Sequence, residues 1–210
     1  MGTTLTPIAV ELDRLKAVCG SGDRGLLNSV VKAFKRDFGQ FDEMGEDLDD
    51  WGEDDDAPAG NSITMKEALG HLVMGKGYNP RAGFMYGYAL MFICRHIGAA
   101  LPNGHWCSVS GWSWFPDVDK ALEDLGVPEG VLRVQGPLTR RGSPVPIPEI
   151  EDFPAIGYLR QDEVRLAAGE LDEGKVKSVE PEPLRRGLEE LLAWVRECQE
   201  TKRDLICFHA

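Results

Sequence analysis

Residues Phe84–Leu101, FMYGYALMFICRHIGAAL, decide the fold. Apart from Gly87 and Gly98 the run is almost wholly apolar, with Arg95 and His96 the charged or strongly polar positions. An amphipathic helix shows a polar stripe every 3.6 residues; this one has none, so the pattern predicts a helix buried around most of its circumference. At helical rise the run spans about 27 Å, close to a bilayer core. A central Arg costs a few kcal/mol in lipid, however, and the reading is the core helix of a water-soluble domain rather than a membrane span. Pro102, Asn103 and Gly104 stop the helix. Trp106, Trp112 and Trp114 then fall within nine residues, a cluster of the kind that closes a core.

Outward from this centre, the remaining elements follow from periodicity and punctuation. Leu5–Leu12 reads as a short strand, with Pro7 confining it to an edge or to its own start. Asp13–Val18 reads as a short helix. Asp23 is placed to cap a helix whose face is Leu26, Leu27, Val30, Val31, Phe34 and Phe38, with Gly39 as its stop. Thr64 and Glu67 form a capping box opening a helix that runs to Met74. Pro116–Leu125, Gln161–Leu171 and Pro181–Lys202 follow as helices, the last with Leu184, Leu188, Leu191, Leu192, Val195 and Cys198 inward. Residues 127–154 carry six prolines and predict an irregular wrap. Residues 155–159 and 204–209 read as strands. The expected fold is therefore α+β: a mainly helical single domain over residues 1–210 around a buried central helix, with a small sheet of short strands.

Five cysteines (Cys19, Cys94, Cys107, Cys198, Cys207) are odd in number and irregularly spaced, which points to reduced thiols. No basic-then-apolar leader opens the chain, so a cytoplasmic protein is expected. The net charge of -12 is concentrated: ten acids lie between Asp42 and Asp56 with no Lys or Arg among them, and the rest of the chain is nearly balanced. A chain without a basic surface is not expected to hold nucleic-acid phosphates. Residues 42–61 are expected to be an acidic, solvated loop or insertion.

Three segments resemble an uncharacterised bacterial protein family of unknown function: Tyr86–Leu90 with Cys94–His96, Phe153–Leu159 (FPAIGYL), and Asp204–Phe208 (DLICF). The likeness covers the central helix and the last third. It implies a bacterial cytosolic protein and carries over no catalytic residue.

No complete catalytic motif is present. His105-x-Cys107 and Cys207-x-His209 each set two ligand types on one side of an extended segment, as a tetrahedral zinc site needs. Single intervening residues are not the usual zinc spacing, so no metal or other cofactor is expected, and these four are the candidate ligands. Gly70–Gly77 matches a phosphate loop but has Gly77 where Ser or Thr must hold magnesium, and it lies on a capped helix. Asp47, Asp49 and Gly52 match part of a calcium loop, but Trp51 and Pro58 occupy ligand positions. Arg95 and His96 need partners in so apolar a helix, and an Asp or Glu is the expected one.

Two functions remain. The first is a non-catalytic acidic interaction protein, immunity-like or regulatory, binding a basic protein partner through Asp47, Asp49, Asp50, Trp51, Glu53, Asp54, Asp55 and Asp56. Trp51 would be its apolar anchor. Neither nucleic acid nor membrane is an expected partner. The second is a small enzyme or ligand binder with a pocket of Arg95, His96, His105, Trp106, Trp112 and Trp114.

Overall fold

The computed structural model describes residues 4–50, 63–106, 114–151 and 153–210, with residues 44–50 described by their backbone alone. The chain gathers into two compact units. One unit gathers Met1–Leu12, Gly98–Pro144 and Ala155–Ala210; the other joins Asp13–Ile97 to Val145–Pro154. The fold class is α+β and mainly helical, with one four-stranded sheet.

The first unit is built on that sheet. Its strands are β1 (Leu5–Val10), β2 (Ala99–Ala100), β3 (Ala155–Leu159) and β4 (Asp204–His209). They lie in the order β2-β1-β4-β3, each pair antiparallel. Leu5 faces His209, Ile8 faces Ile206, and Tyr158 faces Ile206 from the other side. One sheet face, with Leu5, Ala9, Leu159, Leu205 and Cys207, joins the main core of this unit. On the other face Ile8, Val10, Ile206 and Phe208 are buried too. Burial on both faces explains why these strands read as apolar runs instead of alternating. The Pro7 carbonyl accepts the Leu101 amide at 3.1 Å, so the Pro7 nitrogen faces that same flank. There β2 pairs only with Ile8 and Ala9, and the missing N–H is not needed. The outer edge of β3 is closed: the Ile156 carbonyl accepts the Gly142 amide at 2.9 Å, and the Tyr158 carbonyl accepts Arg141 Nη1 at 3.0 Å. An edge so occupied offers little to a further strand.

Around the sheet lie α5 (Phe115–Asp124), α6 (Gln161–Glu170), the short α7 (Glu173–Val176) and α8 (Glu182–Glu200). Leu188, Leu191, Leu192, Val195 and Cys198 of α8 are buried as their spacing predicts, and Trp194 joins them with no exposed surface. Its indole N–H donates to the Pro102 carbonyl. Between α5 and the sheet, the proline-rich wrap is irregular except for one wide turn at Val134–Leu138.

The second unit is helical: α1 (Leu12–Val18, most of it in this unit), α2 (Arg24–Asp50), α3 (Met65–Met74) and α4 (Gly83–Ile97). The capping box of α3 is present, with Thr64 and Glu67 each binding the other's backbone amide, and Gly75 closes the helix at φ +66°. The Gly20 and Gly22 amides reach the last carbonyls of α3, at Leu72 (2.8 Å) and Val73 (2.9 Å). Helix α4 is buried over most of its surface, as its composition requires. The Tyr86 hydroxyl accepts the Asn79 amide (2.9 Å) and meets His71 Nδ1 at 2.7 Å. Across α4 runs the strap 145–154. A Cβ on Gly83 would stand 1.8 Å from the Glu149 carbonyl oxygen, so only glycine admits the strap.

The expected stop of α2 at Gly39 is corrected by the structure. The helix runs 27 residues, through Gly39 to Asp50. The packing explains it: Phe34, Phe38 and Phe41 continue one face past the glycine, and all three meet Phe92 of α4 with ring centroids 5.0–5.5 Å apart. Residues 42–50 are thus helical rather than loop, and 51–61 of the expected loop lie outside the described residues.

Candidate functional site

The acidic run begins on a scaffolded helix. Asp23 Oδ1 accepts the Leu26 amide at 2.9 Å and starts α2. The aromatic face then fixes α2 against α4. Where the acids begin, Asp42 is taken by the fold itself: its Oδ1 accepts the Met65 amide at 2.6 Å, at the N-terminus of α3. Glu43 is exposed. Beyond it the helical backbone carries Glu46, Asp47, Asp49 and Asp50 to the end of α2, and the last turn holds no basic residue. Trp51, Glu53, Asp54, Asp55 and Asp56 lie outside the described residues.

Of the residues of the alternative pocket, Arg95 and His96 belong to the second unit, and His105, Trp106 and Trp114 to the first. Arg95 and His96 occupy the last turn of α4, where positive charge complements the helix dipole. Arg95 is exposed, with its guanidinium 4.9 Å from the ring centre of Phe34 and 5.9 Å from that of Phe92. The partner expected was a carboxylate; the partners found are aromatic faces, a cation–π arrangement worth about 0.5–1 kcal/mol at an exposed site. In the same unit Arg14 Nη1 donates to the Ile97 carbonyl at the end of α4 (3.3 Å).

In the first unit Trp106 and Trp114 are core residues, 2% and 9% exposed. Their rings meet edge to face at 4.6 Å, and Trp106 also meets Trp194 at 5.1 Å. The Trp106 indole donates to the Gly187 carbonyl at 3.3 Å. His105 is half-buried: its amide donates to the Glu190 carboxylate at 3.0 Å, and its ring lies 5.8 Å from that of Trp114. Trp112 lies outside the described residues.

Of the candidate metal ligands, Cys207 and His209 do share one face of β4, as strand alternation predicts. Both are buried. Burial pushes the Cys207 thiol well above its ordinary range and lowers His209 to about 4, so both are neutral at pH 7. The His209 ring packs against Phe115 at 4.9 Å. Among the described residues no three His, Cys, Asp or Glu side chains come together as a metal group, and Cys107 lies outside them. The stretch resembling a phosphate loop is helical from Gly70 to Met74, so its amides are spent within α3.

Two features were missed by sequence reasoning. Asp119, on α5, accepts the Val134 amide at 2.6 Å and the Gln135 amide at 3.0 Å, stapling the wide turn to the helix. Burial raises its pKa despite these bonds and the nearby Arg133. Along another side of α5 runs a groove of about 580 Å³, walled by Trp114, Ala121 and Leu125 on one side and by Val179, Pro181, Pro183 and Leu184 on the other. Neither has a sequence signal, because both join residues far apart in the chain through non-periodic contacts.

Fold and site together define a mainly helical α+β protein in which a long, packed helix ends in acids. The chain belongs to the DUF7691 family: the model of this domain of unknown function matches residues 1–210. No curated protein and no solved structure matches the chain. Among the described residues no helix is long and apolar enough to cross a membrane.

Proposed function

We propose that the protein is a non-catalytic acidic interaction protein that binds a basic protein partner through Asp47–Asp56. The observation that carries this reading is the course of α2, which stays helical across the acids to Asp50 with no cation in its last turn. Positions 42, 43, 46, 47, 49 and 50 recur at spacings of three and four. Like charges at such spacings disfavour a helix by about 0.2–0.5 kcal/mol per pair. Asp47, Asp49 and Asp50, in the last turn, also crowd the negative end of the helix dipole, where each costs about 0.3–1 kcal/mol. A cationic surface docked there relieves both penalties. The same charge steers a basic partner and raises its association rate.

In this reading the protein works in a bacterial cytoplasm, without a cofactor and apart from nucleic acid and membranes. It masks a cationic toxin in the manner of an immunity protein, or regulates another basic protein. The alternative pocket gains no support from tryptophans that are packed as core. The test uses the full chain and a variant with Asp47, Asp49, Asp50, Glu53, Asp54, Asp55 and Asp56 changed to Asn or Gln. Proteins captured from cells on each are identified and compared. The expected result is a partner of strongly basic composition that the variant fails to retain. Identical partners on both chains would refute the proposal.

A further inference from the structure

The groove along α5 has two walls whose ends are fixed. At the C-terminal end of α5, Lys175 Nζ donates to the Leu125 carbonyl at 3.2 Å. At the N-terminal end Trp114 packs onto Gly187 so closely that a Cβ there would stand 2.2 Å from the ring. The chain from Lys175 to Gly187 therefore runs alongside α5 over its whole length, about 15 Å for ten residues. The floor is apolar: Leu125, Val179 and Leu184 are only partly buried against the core, and Pro181 and Pro183 are exposed. Lining carboxylates are Asp117, Asp124 and Glu180, against the single lining cation among the described residues, Lys120. That ammonium is already held on its own helix, by Asp124 at 2.8 Å and Glu123 at 3.2 Å. Glu180 pairs with Arg185 at 3.1 Å, and Asp117 stands exposed at the Trp114 end.

We propose that this groove is a second docking surface, holding an extended basic segment of a protein partner. Its apolar side chain sits on the Trp114–Leu184 floor and a neighbouring Lys or Arg side chain meets Asp117, the lining carboxylate that no described cation already holds. A channel of this length takes about four or five extended residues. The closed outer edge of β3 makes strand addition there unfavourable, whereas the groove needs side chains alone. The inference rests on the basic-partner reading above but uses a different surface, so the two fail separately.

The test is a library of acetylated hexapeptides drawn from Lys, Arg, Glu, Asp, Leu, Phe and Ser, selected on the full-length protein. Enrichment of sequences with Leu or Phe flanked by Lys or Arg is expected. Their affinity should fall about ten-fold in Ala121→Arg, which fills the groove, and in Asp117→Lys, which reverses its rim. Asp117 is exposed, so that variant keeps the core, and thermal unfolding checks that Ala121→Arg stays folded. Binding should persist when the acids of 47–56 are neutralised. No enrichment, enrichment of acidic peptides, or binding indifferent to both groove variants would overturn the proposal. Loss of binding only in the acid-neutralised chain would overturn it too, while leaving the α2 reading intact.

Discussion

Replacing Gly83 by alanine sets a helix preference against a backbone contact. Helix propensity alone favours Ala over Gly, by less than about 1 kcal/mol at this first position of α4. Against that, the new Cβ would lie 1.8 Å from the Glu149 carbonyl oxygen, 2.7 Å from its carbon and 3.3 Å from Ile150 Cα. Ordinary contacts begin near about 3.5 Å, so strap or helix must shift by more than about 1.5 Å, and all three atoms are backbone that cannot turn away as a side chain would. Overpacking of this kind costs about 1–3 kcal/mol, and a backbone clash belongs at the upper end. For a chain of this size that is about 2–4 °C of melting temperature per kcal/mol. Gly87→Ala is the control: its neighbours are the Ile150 side-chain end and the Pro154 ring at 2.8–2.9 Å, which need move far less. Urea denaturation followed by circular dichroism should place Gly83→Ala clearly below the wild type, with Gly87→Ala between them. A Gly83→Ala protein as stable as the parent would refute the packing of the strap on α4.

Two further outcomes follow from a buried and a half-buried polar group. His209 titrates near 4 when folded, against about 6.5 unfolded, because burial disfavours its charged form. As pH falls through that window the unfolded chain binds a proton that the folded one refuses, so stability is lost by up to about 3 kcal/mol. Melting curves between about pH 7 and about pH 4 should show a shallower loss in His209→Leu, and equal slopes would show that His209 is not held neutral. Asp119→Ala removes the acceptor of the Val134 and Gln135 amides and should destabilise the chain by about 1–3 kcal/mol. Amide hydrogen exchange at Val134 and Gln135 should accelerate, and unchanged protection there would rule out the staple.

What the sequence revealed depended on whether a signal was local. Helix α3 was legible from end to end, because Thr64, Glu67 and Gly75 are cap chemistry written within a dozen residues. Three strands were legible as apolar runs, while β2 is two alanines that only their partners define. The stop assigned to Gly39 failed because glycine ends a helix chiefly at positive φ, and Gly39 is not among the residues that adopt it. The spacing of Phe34, Phe38 and Phe41 was the competing signal, and packing on Phe92 prevailed. Burial of the central helix was readable from composition. The partners of Arg95 were not, since a cation on ring faces leaves no mark that differs from a cation paired with an acid. Each of the two units is assembled from separated segments of the chain, a grouping that no local signal marks.

The proposed docking of a basic partner on the acids of Asp47–Asp56 rests on charge. Its most direct test is the association rate of the captured partner, measured across ionic strength for the full chain and for the chain neutralised between Asp47 and Asp56. Electrostatic steering predicts a rate for the native chain that falls steeply with salt, by about ten-fold or more, and a neutralised chain that starts slow and barely responds. Equal rates and equal salt dependence for the two chains would contradict it.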